Sequence, residues 1–142
     1  METVFKRTID NDIYSLQALM NGSTNFLEDN SVDAQSVYRI NLALEEMITN
    51  IIKHGYDDYE THKIDVTIEV LPEEIIGIIE DNGHAFNPLE QNLGERGKSL
   101  EELPVGGLGL HLIKKMLSSM TYRREADRNF LEVRMSRPSA QR

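Results

Sequence analysis

Two neighbouring segments of the chain carry apolar residues in the pattern of β-strands. Residues 63–70 (KIDVTIEV) alternate apolar and polar positions, as a half-buried strand does. The predicted buried face consists of Ile64, Val66, Ile68 and Val70. Residues 75–81 (IIGIIED) are more continuously apolar, which indicates a strand buried more deeply. The turn sequence LPEE separates the two segments, so they are predicted to form an antiparallel hairpin.

Weaker strand patterns occur near both ends of the chain. TYRR (121–124) and FLEVRM (130–135) predict a third and a fourth strand, joined by the polar turn EADRN. TVFKRTI, close to the amino terminus, predicts an additional edge strand.

Helical spacing dominates the rest of the chain. The predicted helices run from about Asp10 to Asp29, a segment weakened by Gly22, from about Asp33 to His54, and from about Gly107 to Met120. Ser31 or Asp33 is a candidate N-cap of the second helix, and Gly55 is its predicted end. Three helices segregated from mostly antiparallel strands predict an α+β fold. We expect one domain over residues 1–142, a two-layer sandwich with a sheet packed on helices.

The length, cysteine content and net charge of the chain exclude several classes of protein and ligand. The 142 residues suit one soluble domain, and no apolar run has the length of a membrane span or a signal peptide. The chain has no cysteine, which excludes disulfides and thiolate chemistry and is compatible with the cytoplasm. A net charge of −9 opposes binding to nucleic acid or anionic membranes. An anionic ligand therefore requires a local site built from backbone N–H groups and a few cations.

The second predicted helix carries a polar stripe beside its apolar face. Glu46, Asn50 and His54 are spaced by four residues and so stack along the helix, whereas Glu45 lies roughly 140° from Asn50. An amide oxygen on Asn50 suits Mg²⁺, and Glu46 is placed to deprotonate or orient an attacking hydroxyl. The alternative is a solvated polar edge without chemistry.

The stretch DNGHAFNP (81–88) follows the buried strand directly. Asp81, at the strand end, is placed to accept a hydrogen bond from an exocyclic amine such as that of adenine. Gly83 would let a base or its waters approach the backbone. The alternative is an ordinary D-N-G turn in which Phe86 belongs to the core.

A third stretch, VGGLGLHLIKKM, places glycines at the start of the third predicted helix, where free N–H groups favour an anion. A flexible connection is the alternative. The nearby GERGKS has two residues between its glycines instead of the four of a phosphate-binding loop, so we interpret it as part of a long loop. Arg96 and Lys98 in that loop, between Leu89 and Val105, are candidate lid residues that reach a phosphate.

Together and in this order, the three stretches resemble the N box and the two glycine boxes of the GHKL ATPase superfamily, whose fold is the Bergerat fold. The resemblance spans nearly the whole chain and is closest to bacterial anti-sigma factor serine/threonine-protein kinases. In two positions, Ala85 and Asn87, the chain departs from many relatives. A nucleotide-binding threonine on a late strand of other branches has no match in RNFLEV.

The resemblance implies an ATP-dependent kinase that phosphorylates a serine on a STAS-type anti-sigma factor antagonist and that also binds a sigma factor. It implies that Glu46 is the catalytic base, that Asn50 ligates Mg²⁺ and that Asp81 binds adenine. The remaining residues implied to bind ATP are Gly83, Phe86, Gly106, Gly107, Leu108, Gly109 and Leu110. It also makes a homodimer an expectation. The alternative is a non-catalytic module that uses a nucleotide to regulate sequestration of a partner.

Overall fold

The computed structural model describes residues 3–85, 87 and 112–138. The order of elements along the chain is strand, helix, helix and four further strands, with a helical segment, α3, at residues 112–116. Their bounds are β1 (Val4–Asp10), α1 (Ile13–Asp29), α2 (Ala34–His54), β2 (Lys63–Val70), β3 (Glu74–Asp81), β4 (Ser119–Glu125) and β5 (Arg128–Ser136). The strands form one antiparallel sheet in the order β1-β2-β3-β5-β4. The predicted α+β sandwich is confirmed.

One face of the sheet packs on the helices and forms the core. The alternating pattern of β2 places Ile64, Val66, Ile68 and Val70 in that core, as predicted. Asn129, Leu131, Val133 and Met135 alternate in the same way along β5. The central position of β3 explains its more continuous apolar sequence, since Ile76 is buried among side chains on the opposite face from Ile75.

Helix α2 supplies the largest share of the helical layer. Its predicted apolar face is fully buried and consists of Ile40, Leu44, Met47, Ile48 and Ile51. The helix crosses the sheet at Gly77 of β3, where an added Cβ would lie 3.1 Å from both Leu44 Cδ2 and Val133 Cγ2. A glycine at this strand position therefore sets how closely α2 approaches the sheet.

Both long helices begin at an aspartate that accepts a backbone N–H. Asp12 Oδ1 accepts from Ser15 N at 2.7 Å, and Asp33 Oδ2 accepts from Ser36 N at 3.1 Å. Asp33 is thus the N-cap of α2, and Ser31 precedes it with a left-handed backbone (φ 59°). Helix α2 ends at Gly55, as the sequence predicts.

The predicted third helix is wrong at its carboxyl end. We expected it to continue to Met120, but Ser119 and Met120 already belong to β4. Met120 pairs with Val133 of β5, and Ser118 N donates to Arg134 O at 2.8 Å. The apolar spacing that resembled a helix is satisfied by strand pairing instead, a choice made by β5 rather than by the local sequence. The predicted start near Gly107 lies outside the described residues.

Candidate functional site

The three residues of the polar stripe on α2 differ in burial: Glu46 is half-buried, Asn50 is buried and His54 is exposed. Asn50 is only 5% exposed, and its amide nitrogen makes no hydrogen bond to the residues that the structure describes. Glu46, one turn earlier, is half-buried, and this burial raises the pKa of its carboxyl group. The charge of Lys53 opposes that shift, and the charge of Glu45 adds to it. His54, one turn later, is exposed.

The end of α2 lies directly against the turn that follows β3. Gly55 O accepts a hydrogen bond from His84 N at 3.0 Å. A Cβ at Gly83 would lie 2.4 Å from Gly55 O, so only glycine fits there. The sequence suggested that Gly83 makes room for a base; the structure shows a different close neighbour, the backbone at the end of α2. The end of α2 and the turn after β3, which the sequence analysis treated as separate motifs, are therefore in direct contact.

Asp81 ends β3 in this site and is 2% exposed. Its Oδ1 accepts two hydrogen bonds, from Gly83 N at 2.8 Å and from Asn129 Nδ2 at 3.1 Å. Its Oδ2 makes no hydrogen bond to the described residues. Oδ1 is thus occupied by hydrogen bonds within the protein, whereas Oδ2 can still accept one, since no described residue donates to it.

Asn129 of β5 was missed by the sequence analysis. It is 6% exposed and lies opposite Asp81 in the β3–β5 register. Its Nδ2 also donates to His84 O at 3.0 Å, and its Oδ1 accepts from Tyr122 Oη at 2.5 Å and from Arg124 at 3.0 Å. A signal was present, because Asn129 occupies a position of the alternating buried face of β5. The strand register that brings it to Asp81 could not be read from the sequence.

Tyr56, in the segment after α2, also contacts the turn that follows β3. Its ring stacks on His62, with centroids 4.0 Å apart, and its Oη donates to Asn82 Oδ1 at 3.3 Å. Burial, assisted by the negative charge of Asp81, raises the pKa of Tyr56 to about 12. The phenol is therefore a neutral hydrogen-bond donor at physiological pH.

The structure describes four of the predicted site residues, which are Glu46, Asn50, Asp81 and Gly83. The contact it shows between their two segments is that of Gly55, at the end of α2, with Gly83 and His84. The other predictions lie outside the described residues; they are Phe86, Arg96, Lys98, Gly106, Gly107, Leu108, Gly109 and Leu110. Immediately after the last of these, α3 buries Ile113. Among the described helices, none is long and apolar enough to cross a membrane.

Comparison with known proteins gives relatives that are protein kinases. The chain is 27% identical to the serine/threonine-protein kinase BtrW of Bordetella bronchiseptica over 96 residues, which are 68% of each chain. It is 31% identical to the serine-protein kinase RsbW of Oceanobacillus iheyensis over 91 residues, which are 61% of this chain and 57% of that protein. The chain thus spans little more than half of the length of the second relative.

Solved structures support the fold. The RsbU and RsbW domains of Rv1364c from Mycobacterium tuberculosis superpose with a TM-score of 0.69 at 16% identity, covering 97% of this chain and 34% of that one. A sequence model of the histidine kinase-like ATPase domain matches residues 9–136. Because that match spans nearly the whole chain, the protein belongs to the histidine kinase-like ATPase domain family, whose members have an ATP-binding fold.

Proposed function

We propose that this protein is an ATP-dependent serine/threonine-protein kinase whose catalytic base is Glu46. The observation that carries the proposal is on α2, where a half-buried carboxylate lies one turn from Asn50, a buried amide whose nitrogen makes no hydrogen bond to the described residues. The kinase names of the relatives support the same reaction.

The residues at the end of α2 fit a magnesium ion. Asn50 is buried, and one end of its amide lacks a hydrogen bond to any described residue, a cost of about 1–3 kcal/mol that a ligand would offset. The oxygen and nitrogen of an amide exchange by a 180° rotation, so the open end can present Oδ1. Mg²⁺ prefers such oxygen donors and would neutralise charge on the phosphates of ATP.

In the proposed reaction, Glu46 takes the proton from the hydroxyl of a substrate serine. The serine oxygen forms a bond to the γ-phosphorus, the bond from that phosphorus to the β,γ-bridging oxygen breaks, and ADP leaves. A general base works best when its pKa approaches the working pH, and the raised pKa of Glu46 changes in that direction. Asp81 would accept a hydrogen bond from adenine through Oδ2, which accepts none from the described residues.

We further propose that the substrate is a STAS-type anti-sigma factor antagonist and that the protein binds a sigma factor when that antagonist is absent. This part rests on the resemblance to anti-sigma factor kinases, as does the expectation of a homodimer. A net charge of −9 is consistent with a protein partner and does not favour nucleic acid. The alternative, a nucleotide-regulated binding module, uses the same ATP site without transferring phosphate.

The test is a pull-down from a lysate of the source cell with Mg²⁺ and ATP, followed by mass spectrometry of the retained proteins. It compares the wild type with Glu46→Gln and with the matched control Glu45→Gln, because Glu45 is the preceding residue of α2 and is exposed. Removing a general base slows transfer by roughly 10²- to 10⁴-fold. We expect phosphoserine on a small STAS-like partner with the wild type and the control, and none with Glu46→Gln.

The other outcomes are equally informative. A partner that the wild type and both variants retain and none phosphorylates would favour the binding module. Equal phosphorylation by Glu46→Gln and the wild type would show that Glu46 is not the base. The pull-down is repeated without ATP and Mg²⁺; equal retention there, with no phosphoserine in either case, would overturn both the kinase and the nucleotide-regulated binding module.

A further inference from the structure

We propose that Tyr122, Arg124 and Asn129 form a hydrogen-bond relay that determines which base the nucleotide site accepts. The relay holds Asp81 as a hydrogen-bond acceptor, and so selects a base with an amino group at this position over one with a carbonyl group. The inference rests on the proposed function, because it takes Asp81 to be the group that meets the base.

The partners of Asn129 determine which way its amide points. One end lies 3.0 Å from Arg124 Nη1, which only donates hydrogen bonds, so that end is the carbonyl oxygen. The other end lies 3.0 Å from the carbonyl oxygen of His84, which only accepts, so that end is the NH₂ group. The same NH₂ group lies 3.1 Å from Asp81 Oδ1. The orientation therefore follows from chemistry and not from how the two atoms were assigned.

Two side chains of β4, Arg124 and Tyr122, hold the amide oxygen of Asn129 in place. Arg124 Nη1 also donates to Gly83 O at 2.7 Å, which ties β4 to the turn after β3. The hydroxyl of Tyr122, two residues earlier on the same strand, donates to Asn129 Oδ1 at 2.5 Å. Two donors on one amide oxygen leave no room for the amide to rotate. A buried side chain held from both sides is suited to positioning a neighbour.

The relay affects how Asp81 Oδ2 meets a base. Its Oδ1 accepts from two N–H groups, and these charge-assisted bonds favour the carboxylate as an acceptor. Its Oδ2, which has no hydrogen bond to the described residues, then also accepts. The 6-amino group of adenine donates to such an oxygen, whereas the 6-carbonyl of hypoxanthine or guanine would place two acceptors against each other.

The experiment measures the affinities of ADP and IDP by calorimetry with Mg²⁺, because the two nucleotides differ at position 6 of the base. For the wild type we expect ADP to bind more tightly by on the order of 10- to 150-fold, as for a hydrogen bond to a charged group. Asn129→Asp puts a second carboxylate beside Asp81, and two carboxylates this close share a proton. Tyr122 and Arg124 donate to the new carboxylate and keep it ionised, so the proton can move to Asp81 Oδ2 and donate to a carbonyl there. The preference for ADP should therefore fall by about tenfold or more.

Two further variants separate the relay from general structure. Arg124→Met frees the amide of Asn129 to turn, so the ratio of the two affinities should fall by about threefold or more, and Tyr122→Phe added to it should lower the ratio further. Arg123→Met is the matched control. Arg123 is next on β4, but its guanidinium lies over Phe130, 4.0 Å from the ring centroid, and pairs with Glu125. The control should keep the wild-type ratio.

The ratio distinguishes failure of the relay from failure of the proposed function. Thermal melting first shows whether Asn129→Asp is folded. The relay would be overturned if this variant and the double variant Arg124→Met with Tyr122→Phe both kept the wild-type ratio of ADP affinity to IDP affinity. If the wild type does not bind ADP, or if Asp81→Ala leaves ADP affinity unchanged, the base site itself is wrongly assigned. A relay variant that weakens ADP and IDP equally would show a structural role alone and would also overturn the proposal.

Discussion

Glu46 is a half-buried acidic residue whose ionised form is less favourable in the folded protein than in water. Its carboxyl group is partly removed from water by the fold, and its pKa is raised because burial penalises the charged form. The same shift means that the folded protein holds the proton of Glu46 more tightly than the unfolded chain does. The ionised side chain therefore costs stability at neutral pH.

We expect Glu46→Gln to stabilise the nucleotide-free protein at pH 7–8 by less than about 1 kcal/mol, since the side chain is only half-buried. The gain should shrink as pH falls and disappear below the unfolded pKa of about 4.5, where both states of the wild type are protonated. Urea denaturation from pH 8 to pH 4 measures it. Glu45→Gln, which removes only a lesser repulsion, should gain less. A gain that grows toward low pH would contradict this account.

At the scale of elements, the turn of the β4–β5 hairpin has a backbone conformation that its two residues, Ala126 and Asp127, adopt only at a cost. Glu125 pairs with Arg128, which leaves a two-residue loop of Ala126 and Asp127 with φ of 52° and 60°. Two left-handed residues define a type I′ turn, which matches the twist of a hairpin and favours Asn-Gly. Alanine in this conformation costs roughly 1–2 kcal/mol. The hairpin that carries Asn129 is therefore less stable than the same hairpin would be with an Asn-Gly turn.

Replacing the loop by Ala126→Asn with Asp127→Gly should raise the stability of the fold by about 1 kcal/mol. The reason is that both new residues adopt positive φ at lower cost than the residues they replace. Thermal melting measures the shift in Tm. Thr121→Gly is the control: Thr121 is exposed in the same hairpin, and glycine inside a strand should destabilise by roughly 0.5–1 kcal/mol. Destabilisation by the Asn-Gly loop would show that the turn is held by something else.

Across the whole molecule, Arg137 ties the carboxyl-terminal end of the sheet to two distant connections. It is 8% exposed, and its guanidinium donates to Leu71 O at 3.2 Å and to Ser31 O at 3.3 Å. Its backbone N–H donates to Glu73 O at 3.0 Å. The Nε atom makes no hydrogen bond within the described part of the chain. The cross-link therefore operates through its two Nη groups.

Arg137→Met should destabilise the protein by about 1–3 kcal/mol, because two carbonyl groups lose their donors while the volume is kept. Arg134→Met is the matched control. Arg134 pairs with Glu74 and Glu132 on the solvent side of the sheet, and such surface pairs contribute at most about 1 kcal/mol. Chemical denaturation at neutral pH compares the two. Equal losses would mean that the buried arginine acts as an ordinary surface charge.

The sequence alone determined most of the helices and strands. Period-two alternation identified β2 and β5, and helical spacing identified the buried face of α2 with Glu46 and Asn50 beside it. These features are local, because a pleat of two residues and a turn of 3.6 residues are set by the backbone itself. Asp33 and Gly55 were identified as helix ends for the same reason.

Only the tertiary structure decided what depends on neighbours distant in sequence. Pairing with β5 turned Ser119 and Met120 from an expected helix into a strand, and register placed Asn129 opposite Asp81. Packing of α2 against the turn after β3 explains why residue 83 is a glycine, because any side chain there would collide with Gly55 O. The physical cause is common to all of these: strand pairing and close packing are contacts between segments whose separation along the chain leaves no local pattern.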